Sequence, residues 1–422
     1  MLQLAQLRTD PELVKERLAL KNFSQVQLVD EIIQLDDERK KLIFQFDENK
    51  AKINAASKEI GVMMKAGNKE AAEQQKGQVE IWKGENEPIQ ERRVTVEKQL
   101  EDLLVLLPNL PSPLVPIGKT PEENEVIRTG GSEPQLYEGA VPHWELAKKH
   151  GLIDFELGNK LAGSGFPVYK GKGARLQRAL IQYFLDYNTA AGYTEYMPPL
   201  VANAASAHGT GQLPDKEGQM YFIGEDELYL IPTAEVPLTN IHRDELLKES
   251  DLPLKLTAYT PCFRREAGSY GKDVRGLNRL HQFDKVEIVQ LVDGSMSYEV
   301  LEEMVMHVEK LIQSLGLQYR VLRLCGGDMS FASALTYDFE VYSAAQARWL
   351  EVSSVSNFET FQSNRMKIRY KNKEGKSMPV HTLNGSSLAL PRILACLLEN
   401  NQTADGILLP PALHGYFGGE MI

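Results

Sequence analysis

Apolar residues recur at intervals of three and four over much of the first hundred residues of the chain. One series occupies residues 28–63 and a second occupies residues 79–107. This spacing places the apolar side chains in one stripe along a helix. Between the two series, "KAGNKE" contains Gly67 and Asn68, which interrupt helices. The pattern therefore predicts two long helices that pair antiparallel across a short turn.

The apolar stripe is too narrow for the core of a larger bundle, so we expect the helical hairpin to project as an arm. Upstream, Asp10 followed by Pro11 predicts the start of another helix. The outward positions of the arm are rich in lysine, arginine and glutamate. Two interpretations stay open: a solvated coiled-coil surface, or a surface whose lysines, such as Lys41, Lys52 and Lys69, contact phosphates.

The pattern changes after a proline-rich segment, "LLPNLPSPLVPIGK", which cannot continue a helix. Beyond it, apolar β-branched runs and helix-like segments such as "GARLQRALIQYFLDYNTAAG" occur in blocks. Because helix and strand do not alternate strictly, the sequence predicts an α+β domain with a mostly antiparallel β-sheet flanked by helices. We expect two domains, residues 1–110 with the helical arm and residues 111–422 with the sheet.

Composition narrows the class of protein. A chain of 422 residues with 42% hydrophobic residues and a formal net charge of -11 fits a folded globular protein. No apolar run reaches the roughly 18 to 20 residues of a membrane helix, and the N-terminus does not resemble a secretory signal, so we expect a cytoplasmic protein. The three cysteines show no CxxC spacing, which favours buried thiols over disulfides or zinc ligands. Rossmann and P-loop phosphate motifs are missing.

One short segment is strongly basic within this acidic chain. Residues 263–283 read "FRREAGSYGKDVRGLNRLHQF", which predicts two antiparallel strands joined by a glycine-rich loop. Alternation along the strands predicts one shared face with these side chains: Arg264, Glu266, Arg279, His281, Phe283 and Glu287. Such a face suits a nucleoside triphosphate, because arginines bind phosphates and an aromatic ring stacks on a base. Arginines salt-bridged on an open sheet are the alternative interpretation.

This segment resembles motif 2 of the class II aminoacyl-tRNA synthetases, in the form found in seryl-tRNA synthetases. Other segments resemble the same family, in the same order along the chain: the arm, the proline-rich junction, "GYTEYMPPLV" with Pro199 at motif 1, "PTAE", "EVSSVSN" and, at motif 3, "HTLNGSSLALPRILACLLENNQ". The resemblance covers essentially the whole chain. It implies a class II catalytic domain after the arm.

The resemblance implies an ATP site. Arg264 would hold the α-phosphate, Glu266 the adenine end and Arg279 the γ-phosphate. Phe283 would stack on adenine, and Arg392 would cover the other face of the base and phosphates. Arg264, Arg279 and Arg392 would therefore be the catalytic residues. The further ATP contacts that the family implies are Arg265, Glu351, Val352, Ser353 and Ser354.

Within that set, Glu351 and Ser354 would hold Mg²⁺, which prefers oxygen ligands. For serine, the family implies these residues: Thr233, Ala234, Glu235, Glu287 and Ser386. Hydroxyls and carboxylates would bind the ammonium and hydroxyl groups of serine, and would reject alanine because buried polar groups would be left unpaired. We expect no zinc, because no cysteine falls at the matching positions.

The implied reaction has two steps, with ATP and L-serine as substrates. Serine is activated to seryl-adenylate, and the seryl group then passes to the 3′ end of serine tRNA. The family also implies a homodimer whose arm lies along the tRNA, while Lys272 and Arg275 of the motif 2 loop meet the acceptor end. Charging of selenocysteine tRNA stays open. The chain departs from many class II synthetases at two positions. Pro391 stands where they have a glycine before the motif 3 arginine, and Ser387 also replaces a glycine that is common in that segment.

Three rival functions remain. A class II synthetase for threonine or proline is disfavoured by the arm and by "HQFDKVE". An enzyme that loads a carrier protein would lack the long arm. A paralogue without catalysis would have lost the ATP arginines, and Arg264, Arg279 and Arg392 are present.

Overall fold

The structure, a computed structural model, describes residues 1–215, 218–266 and 275–422. It divides into two compact units, one of residues 1–19 and 23–108 and the other of residues 20–22 and 109–422. The first unit is helical, whereas the second combines β-sheets with helices. In the described part of the chain, no helix is both long and apolar enough to cross a membrane.

The first unit contains the helices α1 (Leu4–Thr9), α2 (Pro11–Leu20), α3 (Leu28–Lys65) and α4 (Lys69–Leu104). The predicted helical hairpin is confirmed, because hydrogen-bonded side chains follow opposite orders along α3 and α4: Glu38 with Arg92, Asn49 with Glu85, and Glu59 with Gln75. Asn68 caps α4 by accepting a hydrogen bond from the Ala71 N–H. Asp10 likewise accepts from the Leu13 N–H, as its predicted helix start requires.

The seam between α3 and α4 is narrow. Its buried members include these residues: Ile32, Asp36, Ala56, Ala72, Val79, Asn86, Val96 and Leu100. Other positions of the predicted stripe, such as Phe46 and Ile53, are only half-buried. The predicted period therefore holds, but two polar residues, Asp36 and Asn86, occupy buried positions that an apolar pattern does not reveal.

The helices of the second unit are α5 (His143–Lys149), α6 (Phe155–Ala162), α7 (Lys172–Ala190), α8 (Ala204–Thr210), α9 (Glu235–Thr239), α10 (Ser297–Ser314), α11 (Phe361–Met366), α12 (Leu390–Asn400) and α13 (Pro411–Phe417). The first strands are β1 (Glu125–Gly130), β2 (Ile153–Asp154), β3 (Val168–Tyr169), β4 (Thr194–Glu195), β5 (Val201–Asn203), β6 (Phe222–Ile223), β7 (Leu228–Leu230) and β8 (Leu246–Lys248). The later strands are β9 (Leu254–Phe263), β10 (Gln282–Val292), β11 (Tyr319–Arg323), β12 (Leu335–Ser343), β13 (Arg348–Asn357), β14 (Arg369–Lys371), β15 (Ser377–Pro379) and β16 (His381–Ala389).

The large sheet has the strand order β1-β11-β12-β13-β16-β10-β9-β4 among the described residues. Every neighbouring pair is antiparallel except β4 with β9, which is parallel. The predicted α+β class with a mostly antiparallel sheet is confirmed. Strands that are distant in the sequence become neighbours, so that β10 lies between β9 and β16.

The main core lies on one face of this sheet, against α7, α10 and α12. Along β10, Val286 and Ile288 point into that core, and the odd-numbered residues therefore point to the other face. Helix α12 is buried along nearly its whole length, and Pro391 occupies its first turn, where a missing N–H leaves no hydrogen bond unmade. The three cysteines are buried free thiols, as predicted.

Candidate active site

The odd-numbered face of β10 opens onto a cleft of about 810 Å³ in the second unit. Its lining includes most of the predicted site residues: Thr233, Glu235, Arg264, Glu266, Arg279, Phe283, Glu287, Glu351, Val352, Ser353, Ser354, Ser386 and Arg392. Two of the residues that the resemblance assigns to the site are not among the described lining residues. Ala234 is fully buried, and the Arg265 N–H donates to the Gln219 carbonyl at 2.8 Å. Lys272 lies outside the described residues.

Sheet register brings these residues together. Glu287 on β10 pairs with Ser386 on β16, and the next strand, β13, carries Glu351 and Ser354. The other neighbour of β10 is β9, which runs directly into Arg264. Four adjacent strands therefore present their polar residues to one cleft, although the residues span more than a hundred positions in the sequence.

Two buried carboxylates, Glu235 and Glu287, form what we call the carboxylate pair. The Thr233 hydroxyl donates to Glu287 at 3.1 Å, and the Lys285 ammonium lies 2.5 Å from the same carboxylate. Glu235 accepts a 2.6 Å hydrogen bond from the Gln362 amide. Only 8% of Glu235 and 2% of Glu287 is exposed, so both groups have lost most of their contact with water.

Burial and the nearby negative charge of Glu287 raise the pKa of Glu235 to about 7. Burial also raises the pKa of Glu287, while the Lys285 ammonium opposes that rise. Near neutral pH Glu235 is therefore only partly ionised, and a cationic ligand beside it would favour the charged carboxylate. Together, these two groups suit a small ligand that carries an ammonium group.

Three guanidinium groups line the cleft, and we call them the arginine group. The Arg264 guanidinium carbon lies 5.3 Å from the Phe283 ring centroid. Arg279 is ion-paired with Glu266 at 2.6 Å. Arg392 donates at 2.7 Å to the backbone carbonyl of Glu351. The cleft therefore combines three guanidinium groups with an aromatic ring, an arrangement that suits an anionic nucleotide.

The predicted strands are longer than the observed ones. Strand β9 ends at Phe263 and β10 begins at Gln282, so alternation does not apply to the residues between them. The prediction for His281 is wrong. Its ring stacks on Phe166, with centroids 5.3 Å apart and planes 10° apart, and bonds to the Tyr221 hydroxyl at 3.0 Å. Arg275 lies over the Trp144 ring, at 4.6 Å from the centroid.

The cleft residues that the sequence analysis missed include Lys285 and Asp338. Lys285 has the same parity on β10 as Phe283 and Glu287, so strict alternation would have found it. Asp338 gave no such signal, because only the β12–β13 register sets it opposite Ser354. One carboxylate oxygen of Asp338, Oδ1, is buried without a hydrogen-bond partner.

Burial and the negative charge of Glu351 raise the pKa of Asp338 well above its ordinary value. Asp338, Glu351 and Ser354 therefore offer two carboxylates and a hydroxyl on adjacent strands, one carboxylate oxygen having no partner. Mg²⁺ is commonly held by one or two carboxylates together with substrate phosphates, so these residues fit it. Within the described ranges, no cluster of three or more histidine, cysteine, aspartate or glutamate side chains is arranged to hold a metal.

Comparison with known proteins matches both units. Residues 1–111 match the family described as "Seryl-tRNA synthetase N-terminal domain". Residues 222–401 match the family described as "tRNA synthetase class II core domain (G, H, P, S and T)". The chain is 51% identical to a serine–tRNA ligase of Salinibacter ruber, over 99% of this chain and 98% of that protein. It is 47% identical to a serine–tRNA ligase of Methylacidiphilum infernorum over the full length of both.

Solved structures give the same match. The seryl-tRNA synthetase of Pyrococcus horikoshii complexed with ATP superposes with a TM-score of 0.94 at 32% identity, covering 100% of this chain and 99% of that one. The cytoplasmic serine–tRNA ligase of Naegleria fowleri in complex with AMP gives 0.89 at 28% identity, covering 100% and 98%.

Proposed function

The chain belongs to the seryl-tRNA synthetase family of class II aminoacyl-tRNA synthetases and is an ATP-dependent serine–tRNA ligase, and we propose that the cleft on β10 carries out both steps of that reaction. In the first step the serine carboxylate attacks the α-phosphorus of ATP, and the bond to pyrophosphate breaks. In the second step the terminal 3′-hydroxyl of the tRNA attacks the acyl carbon and AMP leaves.

The observation that carries the proposal is the pairing of opposite charges in one cleft. The carboxylate pair suits the ammonium of serine, and the arginine group suits the polyphosphate of ATP. Positioning and charge neutralisation can supply most of the catalysis for such a reaction, because little proton transfer by the protein is needed.

Serine lies in this proposal with its ammonium against Glu235 and its hydroxyl within reach of Glu287 and Ser386. The Thr233 hydroxyl and the Lys285 ammonium hold Glu287 in place from two sides. Alanine would leave these buried groups without a partner, and such a site therefore rejects it. Threonine, which carries one more methyl group than serine, must instead be rejected by its size.

ATP lies along the arginine group, with its α-phosphate at Arg264, its γ-phosphate at Arg279 and its base between Phe283 and Arg392. Glu266, now paired with Arg279, would exchange that partner for the adenine end. Arg264 leaves its contact over the Phe283 ring so that the base can stack there. Both movements exchange one charged or aromatic partner for another.

Magnesium would be held by Glu351 and Ser354, with Asp338 as a third oxygen donor. When bound, Mg²⁺ supplies charge neutralisation for the phosphates. Asp338, Glu351 and Ser354 would hold the ion at the phosphate end of the cleft. Arg392, in the first turn of α12, donates a hydrogen bond to the Glu351 carbonyl there.

The domain of residues 1–110 binds serine tRNA through its helical hairpin in this proposal, mostly through contacts to the RNA backbone and shape, as expected for double-stranded RNA. Lysines on its outer surface would contact phosphates, and Arg275 of the motif 2 loop would meet the acceptor end. We also propose a cytoplasmic homodimer. The 93% exposed side chain of Met197, two residues before Pro199 in the motif 1 segment, supports such an interface.

Amino-acid-dependent ATP–pyrophosphate exchange, measured without tRNA, tests the proposal. Exchange with serine, but not with threonine, alanine or proline, is the expected result. Exchange with threonine or proline instead would favour another class II synthetase. If the folded protein exchanges with none of them, the fold has been kept without the catalysis. If the protein does exchange with serine, transfer of the seryl group to tRNA but not to a carrier protein would exclude the remaining rival, an enzyme that loads a carrier protein.

A further inference from the structure

A buried polar network lies behind the cleft, and none of its members was singled out by the sequence. We call it the His143 network, and it consists of His143, Ser343, Gln346 and Glu399. His143 begins α5 and Glu399 lies near the end of α12, and both side chains are fully buried. Glu399 Oε1 accepts two hydrogen bonds from His143, from the backbone N–H at 2.9 Å and from Nδ1 at 2.7 Å.

The other ring nitrogen of His143 holds the segment that returns from the motif 2 loop. Its Nε2 accepts a 2.8 Å hydrogen bond from the Leu277 N–H. A nitrogen that accepts a hydrogen bond carries no proton, so the ring proton lies on Nδ1 and is donated to Glu399. A Cβ at Gly276 would lie only 2.2 Å from Nε2, and the ring therefore packs directly against the backbone there.

Gln346 extends the network to the cleft. Its Nε2 donates at 2.9 Å to Glu399 and at 2.9 Å to the Ser343 hydroxyl. Its Oε1 accepts a 2.9 Å hydrogen bond from the side chain of Asn278. Ser343 completes the arrangement by donating to the second carboxylate oxygen of Glu399.

Asn278 connects the network to the arginine group. Its backbone carbonyl accepts a 3.1 Å hydrogen bond from Arg392 Nε, and the next residue in the chain is Arg279. Asn278 is 94% buried, so alternative partners from solvent are scarce. A shift of residues 277 and 278 would thus move the carbonyl that orients Arg392 and the backbone that carries Arg279.

We propose that His143 and Gln346 are positioning residues for adenylate formation, which hold Leu277 and Asn278 so that Arg279 and Arg392 meet the phosphates of ATP. Neither residue is among the described residues that line the cleft. The inference rests on the proposed function, since it presupposes that these two arginines bind ATP. It predicts a defect in the use of ATP, whereas the serine end of the cleft should be unaffected.

The test compares variants in serine-dependent pyrophosphate exchange, with thermal melting as a measure of folding. Gln346→Met removes the hydrogen bond to Asn278 at a half-buried position. We expect kcat/KM for ATP to fall about tenfold, because displaced catalytic groups lower the reaction rate. KM for serine should stay within about twofold. His143→Gln keeps an oxygen near the Nε2 position, so it should retain more activity than His143→Leu.

Gln402→Met is the matched control. Gln402 joins the segment before α5 to the end of α12, because its amide exchanges hydrogen bonds with the Val141 backbone and donates to the Glu399 carbonyl. Among the described residues, the side-chain hydrogen bonds of Gln402 do not involve residue 277 or 278. Gln402→Met should lower the melting temperature and leave kcat/KM for ATP unchanged.

Wild-type kcat/KM for ATP in both Gln346→Met and His143→Leu, with lowered melting temperatures, would overturn the inference and make the network purely structural. Arg392→Ala separates this failure from a failure of the proposed function. If Arg392→Ala exchanges with normal kinetics for ATP, the assignment of the arginine is wrong and the inference falls with it. If Arg392→Ala is defective but Gln346→Met is normal, only the positioning role is rejected.

Discussion

The helical hairpin and the catalytic unit bury their side chains in different ways. In the hairpin, each helix contributes one narrow seam, and much of the predicted stripe is only half-buried. In the catalytic unit, α12 is buried along nearly its whole length, and the large sheet is covered on one face by a core. A narrow seam leaves most positions free to carry charge, whereas a continuous core admits polar groups only where they have a defined partner or a ligand.

Buried carboxylates make the difference between the two regions clear. Asp36, in the seam of the hairpin, is 1% exposed and lies within 3 Å of Arg8, Arg39 and Lys40. Burial alone would raise the pKa of Asp36, but hydrogen bonds from Lys40 and Arg39 lower it. Glu235 in the cleft instead has a pKa raised to about 7. The hairpin supplies its own cations, while the cleft leaves a carboxylate for the cation of a ligand.

The largest expected effect comes from Arg264→Ala in the cleft. Loss of a charge that stabilises the reacting phosphate should lower serine-dependent exchange about 10²- to 10³-fold. The melting temperature should change little, since in the described structure the Arg264 side chain makes one long hydrogen bond, at 3.4 Å to the Pro232 carbonyl, and one ring contact. Arg92→Ala in the hairpin, where the ion pair with Glu38 is exposed, serves as the control and should exchange normally. Normal exchange by Arg264→Ala would contradict the assignment.

A smaller effect is expected from Glu235→Gln. Loss of a charged partner for the serine ammonium should raise KM for serine about tenfold to a hundredfold. In the wild type, the charged form of Glu235 increases as the pH rises through about 7, so KM for serine should fall over that range. The variant has no carboxylate to titrate, and its KM should be nearly independent of pH between 6 and about 8. An equally steep profile in the variant would show that another group titrates.

Replacement of Lys41, Lys52 and Lys69 by alanine tests the hairpin. Each lysine that neutralises a tRNA phosphate contributes to the salt dependence of binding, so the slope of log K against log salt should become shallower by roughly 2 to 3. Serine-dependent exchange without tRNA should be unchanged. Lys371, Lys373 and Lys376, exposed on and beside the β14–β15 hairpin, provide a matched triple variant that should keep the wild-type slope. An unchanged slope for the first variant would exclude phosphate contacts by those lysines.

The smallest effect is expected from Asp36→Asn, and it should concern stability alone. Removing the charge leaves three cations without their shared partner, at a cost of about 1–3 kcal/mol in the free energy of unfolding. Because the pKa of Asp36 is lowered by folding, its contribution is present above the ordinary value of 3.8 and is lost as the pH falls through the folded value. Thermal melting should therefore separate variant from wild type at pH 7 but less below pH 4. A loss of exchange activity would contradict the separation of roles.

Several parts of the site could be predicted from the sequence. Local alternation and the family resemblance were enough to bring Arg264, Phe283 and Glu287 into one hypothesis. Lys285 could have been added by the same parity. Asp338 could not, because its position opposite Ser354 depends on how β12 and β13 pair. The expectation for His281 was wrong because the strand begins only at Gln282, and the His281 ring packs against Phe166 and bonds to Tyr221 instead of lining the cleft.

Sequence alone determined the helical hairpin, the end of the arm at a proline-rich segment and the class of the catalytic domain. These features follow from interactions between residues that are near in the chain, whose spacing sets the buried stripe and whose glycines and prolines interrupt it. Tertiary structure alone decided that His143 meets Glu399, 256 residues away, and that Arg8 of α1 pairs with Asp36 of α3. Such contacts depend on which elements pack together, and that choice is made by the whole core rather than by any local pattern.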